Sequence, residues 1–559
     1  MYLIRFRFHF PTFCLLIELF SISSKILVDA KSSYKHQHRY KYEDHSLGRA
    51  LAFAASAPTP KSKGKGPSKS KGPKPIPSEY WPSRFPAQDH CSKCGLCETS
   101  YVKHVKTSCA FLGEGMARID KLEERVHGSR RTDHENKNGM NDNDGHFGVL
   151  NQPILLARGV EVDAQWSGVV TGIAISMLES DMVDAVVCIA SGDNDNDKDG
   201  NKLPAMASSS EPVPILARTV EELQRGKGVK PALAPSLRIL DKIRDDPSIR
   251  RLLFCGVGCA VQAFRALQND PEAMESLGLD EDGGVFVLGT NCADNSPSQG
   301  AARNFISEGI GIGENNVGDV MGYEFMQDFK VHVKMRSNGS DGDSDEPKSK
   351  EGENGDTYVY EKLPYFCLPG SIAQSSIADS CKACFDYTNA LADVVVGYMG
   401  APIDKNFSMN TSYQTLAIRN DRGMKMVHAA LERETPRISL HGEAQGSGSY
   451  EAFVMSTVEN DAIVMSMAGQ TPPEEGMPKW IGNIVAAIVT RLSPKGMNFA
   501  RYSIDYHLLR NYLYVLYTWG EERAELSVPL YAKVIVGEYL KSSRSFRELK
   551  DAVLEQREL

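Results

Sequence analysis

Three cysteines at C-x-x-C-x-x-C spacing, Cys91, Cys94 and Cys97, stand a short way before a fourth, Cys109. That interval brings three thiolates around one point, and Gly95 leaves room for the backbone to fold closely over whatever they hold. Soft thiolate ligands suit iron–sulfur clusters, zinc or copper(I), and the bacterial ferredoxin run uses this spacing. Structural zinc sites more often show two well-separated C-x-x-C pairs, so the third cysteine favours a cubane cluster over zinc.

A second set of cysteines is scattered. Leu252–Gln262 reads as strand, tight turn and helix, carrying Cys255 and Cys259. A dinucleotide-binding turn would need a small residue at position 261, and Val261 stands there, so that motif is rejected. Val285–Cys292 reads as a strand ending in a cysteine, and Cys381 and Cys384 form a C-x-x-C pair. Cysteines just after strands lie where open α/β sheets collect ligands. Cys259, Cys292, Cys381 and Cys384 therefore make a second candidate four-thiolate site, with Cys255 competing for one place.

Other stretches carry two readings each. Gln165, Trp166, Ser167, Gly168 and Thr171 open a helix-like run, and such an opening can place backbone N–H groups on a phosphate or simply start a helix. Arg419, Asn420, Arg422 and Gly423 lie at a strand-to-helix turn and could hold a pyrophosphate or cap a helix. His507, among polar aromatics, is either a proton donor or a hydrogen-bonded structural histidine. Trp480, Ile481, Ile484, Val485, Ile488, Val489 and Leu492 share one helical face. That face packs into the core, or else walls a pigment or touches a membrane surface.

These residues must be positioned by a chain of 559 residues, long enough for two or three domains. Its net charge of −9 argues against a nucleic-acid binder. Twelve cysteines grouped at metal-binding intervals point to a compartment where thiols stay reduced. Residues 1–30 read as a signal peptide, and 31–50 as a basic, Ser-rich transit segment. Together they resemble the bipartite presequence of algae with secondary plastids, which implies the plastid stroma. Residues 59–79 are a flexible basic linker of Lys, Gly, Ser and Pro. The fold class is α/β, α+β overall. An iron–sulfur segment spans 80–150, α/β segments 151–250 and 251–430 share a mixed sheet, and 431–559 is helical. Residues 132–146, 191–210 and 336–356 are polar insertions, the last at the tip of a long hairpin.

Longer matches then emerge. His90-Cys91-Ser-Lys-Cys94-Gly-Leu-Cys97, Cys109-Ala-Phe-Leu-Gly, Tyr323-Glu-Phe-Met-Gln-Asp, Cys384-Phe-Asp-Tyr-Thr-Asn-Ala-Leu-Ala-Asp393, Gly397-Tyr-Met-Gly400, Pro494-Lys-Gly and Arg510-Asn-Tyr-Leu-Tyr514 resemble the family of the deazaflavin-reducing hydrogenase beta subunit. Within it they are most similar to the ferredoxin-dependent chlorophyll and chlorophyllide reductases. The resemblance runs from about residue 80 to 545. It implies FAD, two 4Fe–4S clusters and reduced ferredoxin as electron donor. By position, one cluster falls on Cys91, Cys94, Cys97 and Cys109, and the other on Cys259, Cys292, Cys381 and Cys384. The flavin falls on Gln165–Thr171 and Arg419–Gly423. The implied activity is reduction of a chlorophyll-type tetrapyrrole. Three readings follow: 7-hydroxymethyl to methyl, 8-vinyl to ethyl, or electron transfer without a substrate of its own. Peripheral thylakoid contact and a homo-oligomer are compatible with it.

Overall fold

The computed structural model describes residues 94–131, 145–192, 210–280, 284–336, 349–350, 357–403 and 411–559. All belong to the unit Gly72–Leu559, the second of two. The expected presequence and linker, Cys91, and most of the three polar insertions lie outside the described residues.

The main sheet has eight strands. In chain order they are β1 (Leu155–Gly159), β2 (Ala185–Ala190), β3 (Val213–Ala217), β4 (Leu252–Gly256), β5 (Val285–Thr290), then β10 (Val394–Gly397), β11 (Gln414–Ile418) and β12 (Ile438–Glu443). Between β5 and β10 the chain builds a smaller sheet from β6 (Val320–Met326), β7 (Lys330–Arg336), β8 (Ser349–Lys350) and β9 (Thr357–Pro364). The main sheet runs β12-β1-β11-β10-β5-β4-β2-β3. Its centre is parallel: β2, β4, β5 and β10 point one way, with Leu252–Gly256 in step with Val285–Gly289. The outer strands β3, β11, β1 and β12 are antiparallel. The central strands are apolar runs because helices cover both faces of a parallel sheet. One face packs on helices Val169–Glu179 and Asp421–Leu431. The other packs on helix Gly258–Leu267, on the 96–122 segment and on the C-terminal helices.

Two expectations change here. Strands from 151–250 flank those from 251–430 in one sheet, as expected, but β12 comes from 431–559, so that segment is not wholly helical. The helix Lys479–Leu492 packs only part of its apolar face into the core. Gly482, Val485 and Ala486 face inward, while Trp480 is 67%, Ile484 52% and Ile488 46% exposed. Its other apolar side looks outward because only a narrow stripe meets Pro364 and Cys367.

The small sheet is an antiparallel meander, β6-β7-β9-β8, with β6 on its edge. The expected hairpin is β7 with β9. The helix Met497–Trp519 runs 23 residues and buries Leu508, Leu509, Arg510, Asn511 and Leu513. This helix is the rod against which the cysteine-bearing loops rest.

Candidate functional site

The ends of β4 and β5 deliver two of the predicted ligands. Cys259 sits in the first turn of helix Gly258–Leu267, directly after β4, and Cys292 follows β5. The pair Cys381 and Cys384 lies in and just beyond the short helix Asp379–Lys382. Four bonds bring that pair to the same sheet edge. Cys292 N donates to Tyr387 O at 3.3 Å, and Ala378 N donates to Asn295 O at 2.9 Å. Asn389, with φ 54, donates through Nδ2 to the carbonyls of Gly256 (2.8 Å) and Thr290 (3.2 Å). From the far side, Asn511 Nδ2 donates to the carbonyls of Cys381 (3.1 Å) and Cys384 (2.6 Å).

The four thiols sense one another. Burial pushes each up, Cys381 to about 12, and the charges of Cys381, Cys384 and Cys94 raise Cys259 further. Cys292 is raised in turn by Cys381 and Cys259. Backbone and side-chain donors already point at sulfur: Asn295 N lies 3.3 Å from Cys381 Sγ, and Asn295 Nδ2 3.7 Å from Cys292 Sγ. Cys255 is different. It lies on the opposite face of β4, in the core with Cys188 and helix Val169–Glu179, so the pleat removes it from competition.

Of the N-terminal set, Cys94, Cys97 and Cys109 are described and Cys91 is not. Phe111 N donates to Cys109 Sγ at 3.4 Å. The Arg118 guanidinium bonds the carbonyls of Cys109 and Leu112, and Arg523 reaches those of Phe111 and Gly113. Cys94 is the member that feels Cys259, so the two cysteine groups are neighbours.

The two stretches expected to share a flavin do not face one place. Ser167 Oγ donates to Gln414 Oε1 at 2.7 Å, at the start of β11. Arg419–Gly423 follows the other end of that strand. Arg419 donates to the carbonyls of Phe147 (2.8 Å), Val149 (2.9 Å) and Thr388 (2.8 Å). Asn420 caps helix Asp421–Leu431 through Gly423 N, and with Arg422 and Arg265 it surrounds the buried carboxylate of Asp393. These residues fasten chain segments and have few donors left over. The Gln165 end is more open to a ligand. Gly168, at φ +87, starts helix Val169–Glu179 with Thr171 in its first turn. Trp166 Nε1 is enclosed with no hydrogen-bond partner. Gln165 is fixed by Val229 N and Met321 O.

His507 is held rather than loose. Its Nδ1 donates to Ser503 O at 2.6 Å, its ring stacks on Tyr387 at 4.5 Å, and Nε2 lies 3.6 Å from Asp294. Asp294 is gripped by both terminal nitrogens of Arg510 at 3.0 Å. Burial alone would raise this carboxyl, but Arg510 and His507 hold it down at about 2.

Sequence reasoning missed β6. Tyr323, Phe325, Phe305 and Tyr365 form an aromatic group with centroids 5.1 to 6.3 Å apart, and Phe325 is 50% exposed. Tyr323 senses both Glu324 and Asp294. Tyr398, bonded to Ser167, senses Glu324 as well. This aromatic wall stands beside Glu324, with Asp294 in electrostatic reach of Tyr323 and Ser167 bonded to Tyr398. The only sequence signal for it was the Tyr323–Asp328 motif.

Residues 157–241 and 249–439 match the N-terminal and C-terminal parts of the coenzyme F420 hydrogenase/dehydrogenase beta subunit. The chain is an oxidoreductase of that class. It is 42% identical over 463 residues, covering 82% of this chain and 84% of the relative, to the chloroplastic 7-hydroxymethyl chlorophyll a reductase of Oryza sativa subsp. japonica. The chain belongs to the 7-hydroxymethyl chlorophyll a reductase family. An uncharacterized protein of Nostoc sp. is 35% identical, over 82% of this chain and 95% of its own length. Among solved structures, the F420-reducing hydrogenase complex of Methanosarcina barkeri matches with a TM-score of 0.41 and 18% identity, covering 65% of this chain and 92% of that one.

Proposed function

We propose that this protein is an iron–sulfur flavoenzyme of the plastid that draws single electrons from reduced ferredoxin and converts the 7-hydroxymethyl group of a chlorophyll-type tetrapyrrole to methyl. The observation that supports the reading is that hydrogen bonds hold the loops of Cys259, Cys292, Cys381 and Cys384 together at the ends of β4 and β5, where the thiols influence one another. The relationship to the plant reductase supports the substrate class.

The donor set fits a cluster better than a single ion. A zinc ion bonded at about 2.3 Å would draw its four sulfurs to about 3.8 Å from one another. Among the described residues no three His, Cys, Asp or Glu side chains converge on one ion. A multi-iron cluster meets each thiolate at a different iron and tolerates a wider ring. Thiols raised by burial and mutual repulsion become stable thiolates only beside a strong positive centre. Cys259, Cys292, Cys381 and Cys384 would hold one such cluster, and Cys91, Cys94, Cys97 and Cys109 the other. The enclosed Trp166 donor and the helix start at Gly168 fit an electron-rich ligand such as a flavin. Such cofactors convert one-electron delivery into two-electron reduction. The protein's own share is to hold them near each other, bring the pigment to the wall and keep water out.

The test is anaerobic incubation of the reconstituted protein with reduced ferredoxin and each pigment, followed by chromatography. Hydroxymethyl chlorophyll a should disappear as chlorophyll a forms. Conversion of divinyl chlorophyllide alone would move the substrate to the vinyl reading, and conversion of neither would leave an electron carrier.

A further inference from the structure

Replacing a hydroxyl by hydrogen uses two electrons and two protons and releases water, so the oxygen needs a proton as its bond to carbon breaks. The wall described above carries a carboxyl placed for that task. Glu324 lies on β6, the edge strand of the small sheet, on the same face as Gly322. A Cβ on Gly322 would run into the Gln165 amide and come within 3.3 Å of Trp166 Cζ2. That face of the strand therefore presses on the predicted cofactor stretch. Glu324 is next along it and only partly buried. Among the described residues no cation pairs with it and no donor bonds it. Its near neighbours are hydroxyls: Tyr323, Tyr365 and Tyr398 each feel its charge.

The other titratable groups around it are committed elsewhere. His332, its cross-strand partner on β7, bonds Asp328 Oδ2 at 2.8 Å. Lys334 donates to Gln165 O at 3.1 Å and sits over the Tyr358 ring at 4.1 Å. Tyr360 acts on Tyr398 and Asp294 on Tyr323, and Lys362 stands one strand further, on β9 opposite His332. Burial pushes the Glu324 carboxyl up to about 7, so the acid form is available near neutrality.

We propose that Glu324 donates the proton that turns the substrate's hydroxyl into departing water, an inference that rests on the hydroxymethyl reading above. The carboxyl O–H gives its proton to the oxygen, the C–O bond breaks and water leaves. The carbon takes up two electrons, originating in the reduced iron–sulfur carrier protein, and a second proton. Solvent then reprotonates the carboxylate. A carboxyl beside an aromatic wall, on the strand face that meets Trp166 through Gly322 and lacking a cation, has the right form for a general acid.

The test compares full-length, cofactor-loaded wild type with Glu324→Gln and Glu324→Asp. Glu324→Gln should lower kcat about 100-fold or more. It should also abolish the wild-type loss of rate above pH 7, while reduction of the bound chromophores by ferredoxin keeps its rate. Glu324→Asp should retain part of the activity with its alkaline limb at lower pH. Independently of turnover, the wild-type infrared spectrum should show a protonated-carboxyl band that fades as pH rises through about 7 and is missing in Glu324→Gln. Equal kcat and an unchanged alkaline limb in Glu324→Gln would overturn the assignment, as would a wild-type band that does not titrate. A wild type that turns over no hydroxymethyl pigment would instead remove the function on which the assignment rests, and the assignment with it.

Discussion

His127 shows how a single side chain can be read from its surroundings. Its Nε2 donates to Ala390 O at 2.8 Å, and its Nδ1 accepts from Asn420 Nδ2 at 3.0 Å. Both bonds suit the neutral ring. Burial, reinforced by the nearby Arg419 guanidinium, lowers its pKa to about 3. The unfolded chain takes up a proton near pH 6.5 and the folded one does not. Stability is therefore complete above that pH and falls as pH drops toward 3, by about 1.4 kcal/mol per unit. Urea midpoints at pH 7 and pH 5 should show a steeper loss for wild type than for His127→Gln, and parallel losses would contradict this. The cysteines stood out as candidates because thiolate chemistry demands fixed types at fixed intervals. His127 and Glu324 did not, since nothing local in the sequence tells which carbonyl or ring will surround them.

At the scale of elements, local patterns were read well and their partners poorly. The strand, turn and helix read at 252–262 and the hairpin of β7 and β9 stand where apolar patterning put them. Arg419–Gly423 was recognised as a strand-to-helix turn, yet its charges were free to be imagined on a pyrophosphate until Asp393 appeared between them. The helix Lys479–Leu492 makes the same point. Periodicity identified an apolar face, but only packing reveals that Val485 is 6% exposed while Ile484 is 52% exposed. Val485→Ala should cost about 1.5 kcal/mol, at about 0.8 per buried methyl-sized group, whereas Ile484→Ser should stay within about 0.5 kcal/mol. Chemical denaturation of both variants checks it. Equal losses would mean the outer side is covered.

For the whole molecule, chain order and spatial order diverge. The 251–430 segment fills the sheet centre and supplies all four residues of the second thiol set, while β1 and β12 from either side of it pair at one edge. No sequence pattern announces such interleaving, because each strand needs only an apolar face and leaves its neighbours to topology. Among the described residues no helix is long and apolar enough to cross a membrane. The two cysteine groups, within electrostatic reach of each other through Cys94 and Cys259, turn this arrangement into a proposed conduit for single electrons. The most direct test is electron paramagnetic resonance, with iron analysis, on anaerobically reconstituted protein reduced by ferredoxin. Wild type and Cys255→Ser should each hold about eight irons per chain and show two interacting 4Fe–4S signals. Cys292→Ser should lose one of the two signals. A full complement of iron and unchanged signals in Cys292→Ser, or loss of a centre in Cys255→Ser, would contradict the account.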